Sequence, residues 1–382
     1  MASNDMPGTA QALFSTARDD GCIAISIEPR DIAPLAADEV LIRVEASPVN
    51  PSDMGLLYAV ADMASARVDA GAAHPSLLID VPPALSRAVT GRLGQALPVG
   101  NEGAGTVVAA GASDAAQGLL GKIVATFGGA MYRSHRTARA ADCLVLPDGS
   151  SAWEGASLTV NPLTAMAMVG TMRRGGYSAL CHTAAASNLG QMLVKLCAAE
   201  GVGLVNIVRN AEQAALLRAI GATHVVDSSQ ADFMAALTDA LAETGATLAF
   251  DAIGGGPLAG QILTAMEAAQ VKKGAPFSIY GTNVHKQVNI YGALDMGPTT
   301  FSRSFGLQWG ISGFLLTPYL MQLTPQEVGD MRAFVIAHRN DIFASHYSAD
   351  ISLADMVRPD VAPSKKPRAR WSAAAQMASP TR

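Results

Sequence analysis

Charge is scarce in this sequence of 382 residues: Asp, Glu, Lys and Arg make up 15%, against a usual share of about 25%. With 27 basic and 32 acidic residues the formal net charge is −5, so the basic excess of a nucleic-acid binder is missing. Cysteine is scarcer still. Cys22, Cys143, Cys181 and Cys197 lie far apart with no C-x-x-C pair, which suggests neither a zinc cage nor a disulfide framework and leaves reduced, buried thiols as the expectation. No apolar run reaches the ~18 residues that would span a bilayer, because Pro, Gly or charge interrupts each one. Met1 to Ala10 shows no basic cluster leading into an apolar stretch, so no secretory signal is read there and a cytoplasmic protein is expected.

What is present is apolar and punctuated. Hydrophobic residues account for 49% of the chain, with 36 Gly and 20 Pro, the composition of a compact globule with many turns. At roughly 100–200 residues per domain, the length allows two or three. Ile23, Ile25 and Ile27 alternate with Ala24, Ser26 and Glu28, and Val40, Ile42 and Val44 with Leu41, Arg43 and Glu45; each run predicts a strand with one buried face. Shorter apolar runs at 105–110, 122–127 and 142–146, divided by glycine-rich turns, extend this to a small barrel or sandwich ending near Pro147.

After Trp153 the alternation gives way to strand-like and helical segments taking turns, the rhythm of βαβ units and of a doubly wound parallel α/β sheet. Strands are predicted at 179–182, 204–208, 224–226, 247–251 and 277–280. Gln191 to Glu200 places Met192, Leu193, Leu196 and Cys197 on one helical stripe and turns Lys195 and Glu200 outward, as a helix packed on a sheet requires. Pro325 suits the first turn of a helix reaching about His338. From Pro359 to Arg382, Pro, Ser, Ala and basic residues show no apolar period, and a disordered tail is expected.

The first predicted strand of the doubly wound part runs into Thr183-Ala184-Ala185-Ala186-Ser187-Asn188-Leu189-Gly190. Backbone N–H groups in such a turn, with the N-terminus of the following helix, cradle a pyrophosphate. Only Gly190 is a glycine, so an unliganded strand-to-helix turn would read similarly. The second strand ends in Val208-Arg209-Asn210, where an acid would select NAD and an arginine accommodates the 2′-phosphate of NADP. NADPH is favoured, against the alternative of a surface arginine at a sheet edge.

Together these segments and three others resemble the medium-chain dehydrogenase/reductase superfamily, in its zinc-independent branch of quinone reductases and 2-enoyl thioester reductases. The others are Val49-Asn50-Pro51-Ser52-Asp53, Gly100-Asn101-Glu102-Gly103 and Asn161-Pro162-Leu163-Thr164-Ala165, which occur in the family's order. The resemblance covers roughly residues 20 to 357. It implies a GroES-like β-barrel catalytic domain over 1–155, a Rossmann NADP-binding domain over 156–318, a return to the catalytic domain over 319–358 and a tail over 359–382. Zinc-dependent members carry Cys near Asn50 to Ser52 and His at Asn101, and those residues cannot supply thiolate or imidazole. No metal is expected.

The implied chemistry is hydride transfer from NADPH to a quinone or activated alkene (enone), which already delocalises the arriving charge. A 2-enoyl thioester reductase is the narrower alternative, and an NADPH-binding sensor or structural protein with little turnover the alternative of another class. The resemblance makes Tyr58, five residues after Asp53, the candidate donor, unless it only packs. Asn50 resembles the amide that contacts the nicotinamide end or the substrate, or is a turn residue before Pro51. Ser187, Asn188, Leu189, Gly190 and Arg209 would hold the cofactor, with Thr164 on the linking helix, Gly281 and Thr282 at a fifth strand's end, and Phe314 and Leu315 in a sixth strand that often pairs across a dimer. For these the bland readings are a satisfied helix hydroxyl, a plain turn and core packing. Tyr132 and Arg133 are second choices beside the substrate. Two long stretches, 59–98 and 283–305, depart from the family and read as lids or decoration.

Overall fold

The computed structural model describes residues 6–361 and 375–379. The chain divides into two units, one made of residues 1–160 and 344–382, the other of residues 161–343.

The first unit contains two sheets. Strands β1 (Thr9–Ala17) and β2 (Cys22–Asp31) pair antiparallel and continue through Ser76–Asp80 and Arg67–Val68 on one side and Ala96–Pro98 on the other. The Ile23, Ile25 and Ile27 alternation faces inward as expected, and all three are buried beside Leu13, Leu57 and Leu77. The second sheet is built on β3 (Glu39–Val49), which ends at Asn50, the N-cap of helix α1 (Pro51–Tyr58). It continues with β4 (Glu102–Ala110) and β5 (Ile123–Phe127), while β6 (His135–Arg139) also pairs with β3. Val40, Ile42 and Val44 are buried, and so is Leu41, because both faces of β3 are covered. Strands β1 and β6 were not foreseen.

The second unit opens with helix α2 (Asn161–Arg174) and continues β7 (Ala179–His182), α3 (Asn188–Ala199), β8 (Gly203–Val208), β9 (His224–Asp227) and β10 (Leu248–Asp251). Helix α4 (Leu258–Lys272), β11 (Lys286–Ile290), β12 (Trp309–Gly313) and helix α5 (Pro325–Ala337) complete it. The six parallel strands lie in the order β9-β8-β7-β10-β11-β12, the doubly wound arrangement that reverses direction beside its first strand. The α3 stripe of Met192, Leu193, Leu196 and Cys197 is buried as the periodicity demanded.

Four differences from the sequence reading have physical causes. The fifth strand is Lys286–Ile290, not 277–280: Phe277 and Ile279 are exposed, whereas fully buried Lys286 is carried into the sheet by its ion pair with Glu267. The chain leaves the first unit at Val160 and returns at Ala344, not at 155 and 319, because α5 stays with the second unit, where Arg174 at the end of α2 meets Glu327 at 2.7 Å. The stretch 59–98 is not a free lid. It supplies three strands of the first sheet, and Arg92 donates to the Leu56 carbonyl at 2.8 Å and to Ser15 Oγ at 2.5 Å. Within the expected tail, Ala375–Ser379 forms a strand pairing with β3 and with β13 (Tyr347–Ser352), while 362–374 and 380–382 lie outside the described residues. Backbone pairing asks little of side-chain pattern, which is why a Pro- and Lys-rich stretch concealed it.

Candidate functional site

The doubly wound unit is organised at the carboxyl edge of its two central strands. Asp251, which ends β10 and is fully buried, accepts the Thr183 hydroxyl hydrogen at 2.7 Å and the Ile253 N–H at 2.9 Å on one oxygen, and the Gly254 N–H at 3.2 Å on the other. Thr183 Oγ1 accepts the Ala252 N–H at 2.8 Å. This tie fixes the end of β7 where strand order reverses, the place at which such sheets take ligands.

From Thr183 the chain turns through Ala184, at φ 50°, to Ser187, whose Oγ caps α3 by accepting the Gly190 N–H at 3.1 Å. A Cβ on Gly190 would lie 2.1 Å from the Ala185 carbonyl oxygen, so only glycine lets turn and helix approach this closely. Asn188, Leu189 and Gly190 form the first turn of α3, whose backbone N–H groups carry the positive end of the helix dipole. The turn therefore fits a phosphate without a full glycine fingerprint.

Arg209 follows β8 directly, with an exposed side chain, and its N–H donates to Gln213 Oε1 at 3.1 Å. Thr164 is buried in α2. Phe314 and Leu315 follow β12 at the carboxyl edge, where the Phe314 N–H donates to the Ile290 carbonyl at 2.8 Å and its ring meets Phe250 edge-on at 4.9 Å. Gly281 and Thr282 are misplaced in the sequence reading: they precede the fifth strand and so lie at the opposite edge. There the Thr282 N–H and hydroxyl donate to Glu267 at 2.7 and 2.8 Å. Sequence reasoning also missed His182, whose Nε2 lies 2.7 Å from the Tyr291 hydroxyl while its Nδ1 has no partner. Burial pushes its pKa down to about 3, so the imidazole is neutral.

The first unit gathers Asn50, Asp53, Tyr58, Glu102 and Tyr132. Asn50 and Asp53 form a capping box: the Asn50 side chain takes the Asp53 N–H, and the Asp53 carboxylate takes the Asn50 N–H at 2.9 Å. The backbone of Asn50 is thus the N-cap of α1. Its amide nitrogen points elsewhere, donating to Glu102 Oε1 at 3.0 Å. Asp53 also accepts the Asn101 N–H at 2.8 Å. Burial raises its pKa to about 7, against the lowering effect of these backbone donors.

Tyr132 is buried, donates its hydroxyl to the Pro48 carbonyl at 2.8 Å, and has its pKa raised by burial and by Asp53 beside it. Its ring lies over Gly100, at φ 94°, where a Cβ would stand 2.6 Å from the ring. Tyr58 ends α1 rather than a strand, is buried, and has a pKa raised by that burial. Arg133 is half-buried, and burial, then Arg136 and Arg30, push its pKa down.

The positions where a zinc-dependent relative would place its ligands hold a different set. Asn101 Nδ2 donates to Ser52 Oγ at 2.8 Å, a neutral amide–hydroxyl pair. Among the described residues no group of three or more His, Cys, Asp and Glu side chains could hold a metal ion. The donors at Asn50–Ser52 and Asn101 do not fit zinc, which takes thiolate, imidazole or carboxylate.

The chain thus combines an antiparallel β unit with a six-strand doubly wound unit. Comparison with known proteins agrees. Residues 189–305 match the family model of zinc-binding dehydrogenases. A putative NADPH:quinone reductase from Mesorhizobium loti superposes with a TM-score of 0.71 at 26% identity, over 98% of this chain and 99% of that one. A mutant enoyl thioester reductase from Candida tropicalis shares the fold at TM-score 0.64 and 20% identity, over 97% and 99%. The mitochondrial enoyl-[acyl-carrier-protein] reductase of Bos taurus is 24% identical over 235 residues, 59% of this chain, and the chain spans about half, 54%, of that relative. The match over residues 189–305 and the shared two-unit fold both support the resemblance to the medium-chain dehydrogenase/reductases.

Proposed function

We propose that this protein transfers hydride from NADPH to a quinone or an activated alkene without a metal ion. The observation that carries the reading is the polar set Asn50, Ser52 and Asn101, which is committed to amide and hydroxyl hydrogen bonds and offers no ligand to zinc. With no Lewis acid to polarise a carbonyl, the acceptor must take up charge through its own conjugation.

NADPH supplies the hydride. The Ser187–Gly190 turn holds its pyrophosphate, Arg209 its 2′-phosphate, and Thr164, Phe314 and Leu315 complete the cofactor contacts; Gly281 and Thr282 lie at the wrong sheet edge for this. Asn50 contacts the nicotinamide end or the substrate through its amide nitrogen. Tyr58 is the donor to the oxygen or carbon that receives charge: because burial raises its pKa, the hydroxyl stays protonated and able to donate across the neutral range. Tyr132 supports this cluster from below Gly100. The likeness to named enoyl reductases favours a 2-enoyl thioester as the second reading of the acceptor.

Strand β12 is the edge of its sheet, and its unpaired side suits a second copy of the chain, giving a homodimer. No helix among the described residues is long and apolar enough to cross a membrane, and we place the protein in the cytoplasm.

Titration with NADPH and NADH, followed by nicotinamide fluorescence, tests the cofactor assignment. Wild type should prefer NADPH, and Arg209→Ala should lose about one to two decades of that preference. Steady-state assays with a quinone and with a crotonyl thioester then separate the two acceptors. Failure to bind either nucleotide would overturn the reading.

A further inference from the structure

Glu102 opens β4 with its side chain fully buried and no solvent on either oxygen. Its Oε1 accepts the Asn50 Nδ2–H at 3.0 Å. Its Oε2 accepts the Thr159 N–H at 3.0 Å, the Thr159 hydroxyl hydrogen at 2.9 Å and the Val160 N–H at 2.7 Å. Every partner is a donor. An ionised carboxylate only accepts, so it carries no hydrogen that would oppose these four donors, three of them crowded on Oε2. Burial pushes the Glu102 pKa up, and the Val160, Thr159 and Asn50 donors oppose that push.

The two oxygens serve different parts of the molecule. Oε1 holds the amide that would meet the nicotinamide or the substrate. Oε2 holds the last two residues before the chain enters the nucleotide-binding unit at Asn161. An asparagine amide turns easily about its last torsion, which is broad and nearly two-fold. Asn50 has its oxygen engaged by the Asp53 N–H and its nitrogen by Glu102, so the carboxylate decides which way the nitrogen faces. Two consecutive N–H groups gathered on one oxygen fix the Thr159–Val160 backbone in the same way.

We propose that Glu102 is a positioning residue that couples the backbone at Thr159–Val160 to the orientation of the Asn50 amide, so that the linker and the reactive amide are set by one carboxylate. This inference rests on the role given above to Asn50. Glu102 itself touches no reacting atom and acts through Asn50.

A double-mutant cycle tests it, using full-length Asn50→Ala, Glu102→Gln and the pair. Glutamine keeps the shape of Glu102 but turns an N–H toward at least one donor, so it should lower kcat by about tenfold or more while leaving the KM for NADPH within about twofold. In the Asn50→Ala background the same change should cost little further kcat, because the group through which it acts is gone. Thr159→Val removes one hydroxyl on the linker side alone and serves as the gentler variant; it should lower kcat a few-fold in wild type and not in Asn50→Ala.

Losses in kcat that multiply independently in the two backgrounds would overturn the coupling and leave Glu102 a buried acceptor of purely structural use. Loss of thermal stability with unchanged kcat would overturn it too. The cycle is read in parallel on nicotinamide fluorescence in the NADPH complex. If wild type binds NADPH and reduces neither acceptor, the assigned reaction fails by itself, and the coupling is then judged on fluorescence, where additivity overturns it and non-additivity supports it.

Discussion

The Glu267 carboxylate and the Lys286 ammonium lie 2.5 Å apart, and Lys286 is wholly buried. Lys286 also donates to Thr282 Oγ1 at 3.2 Å and the Val284 carbonyl at 3.0 Å, so each of its hydrogens has an acceptor. Burial raises the Glu267 pKa, but the Lys286 and Thr282 donors outweigh it and hold the group below its usual range. Glu267→Ala strands the ammonium without a counter-charge and should destabilise the protein by about 3–5 kcal/mol. Replacing both partners by apolar residues of similar volume should cost less, and urea midpoints of the two variants would show the order.

The tie between Thr183 and Asp251 should behave as a unit. Thr183→Val removes the hydroxyl that donates to Asp251 and accepts the Ala252 N–H, leaving a buried N–H and a buried carboxylate each one partner short. The expected loss is about 1–3 kcal/mol, measured by chemical denaturation, together with weaker NADPH binding because the turn after β7 loses its anchor.

Gly190→Ala tests the close approach in the Ser187–Gly190 turn proposed to hold phosphate. The added methyl would meet the Ala185 backbone oxygen at 2.1 Å, and backbone in a capped turn gives way less readily than a side chain. Stability should fall by about 1–3 kcal/mol and NADPH affinity by about tenfold or more. Retained affinity in a folded Gly190→Ala protein would mean that phosphate is held elsewhere.

His182 gives the protein an acid sensitivity of known sign. Its folded pKa of about 3 lies below the usual imidazole value, so below about pH 6.5 the unfolded chain takes a proton that the folded state refuses. Stability from this group is complete above pH 6.5 and is lost as pH falls toward the folded pKa, at up to about 1.4 kcal/mol per unit. His182→Asn should flatten that part of the curve, read as the difference in urea midpoint between the two proteins at pH 7 and pH 5. Parallel curves would contradict the assignment.

Much of the scaffold could be read from residue order because its strands are short apolar runs between helices of 3.6 period. Ala179–His182 and the helix stripe at Met192, Leu193, Leu196 and Cys197 are local patterns, and local patterns survive in a single sequence. The fifth strand is not local. Lys286, Gln287 and Asn289 read as polar, and their place in the sheet depends on Glu267, 19 residues earlier, whereas Phe277 and Ile279 look like a strand and are exposed. The strand-to-helix turn after β7 is legible through Ser187 and Gly190. Glu102, within a segment that was recognised, was not singled out because nothing in its neighbours indicates the donors at Thr159 and Val160, 57 and 58 residues away.

The first unit is built from both ends of the chain, with strand 375–379 beside β3 and strand 347–352 beyond it. On the ribosome, therefore, residues 161–343 form a continuous stretch that is complete and free to fold while the other unit still waits for its last strands. Birth order and folding order are reversed: the part begun first is finished last. A premature stop after Phe343 would leave a whole doubly wound unit attached to an N-terminal half that has an open sheet edge, the kind of surface that recruits other strands and that quality control must clear.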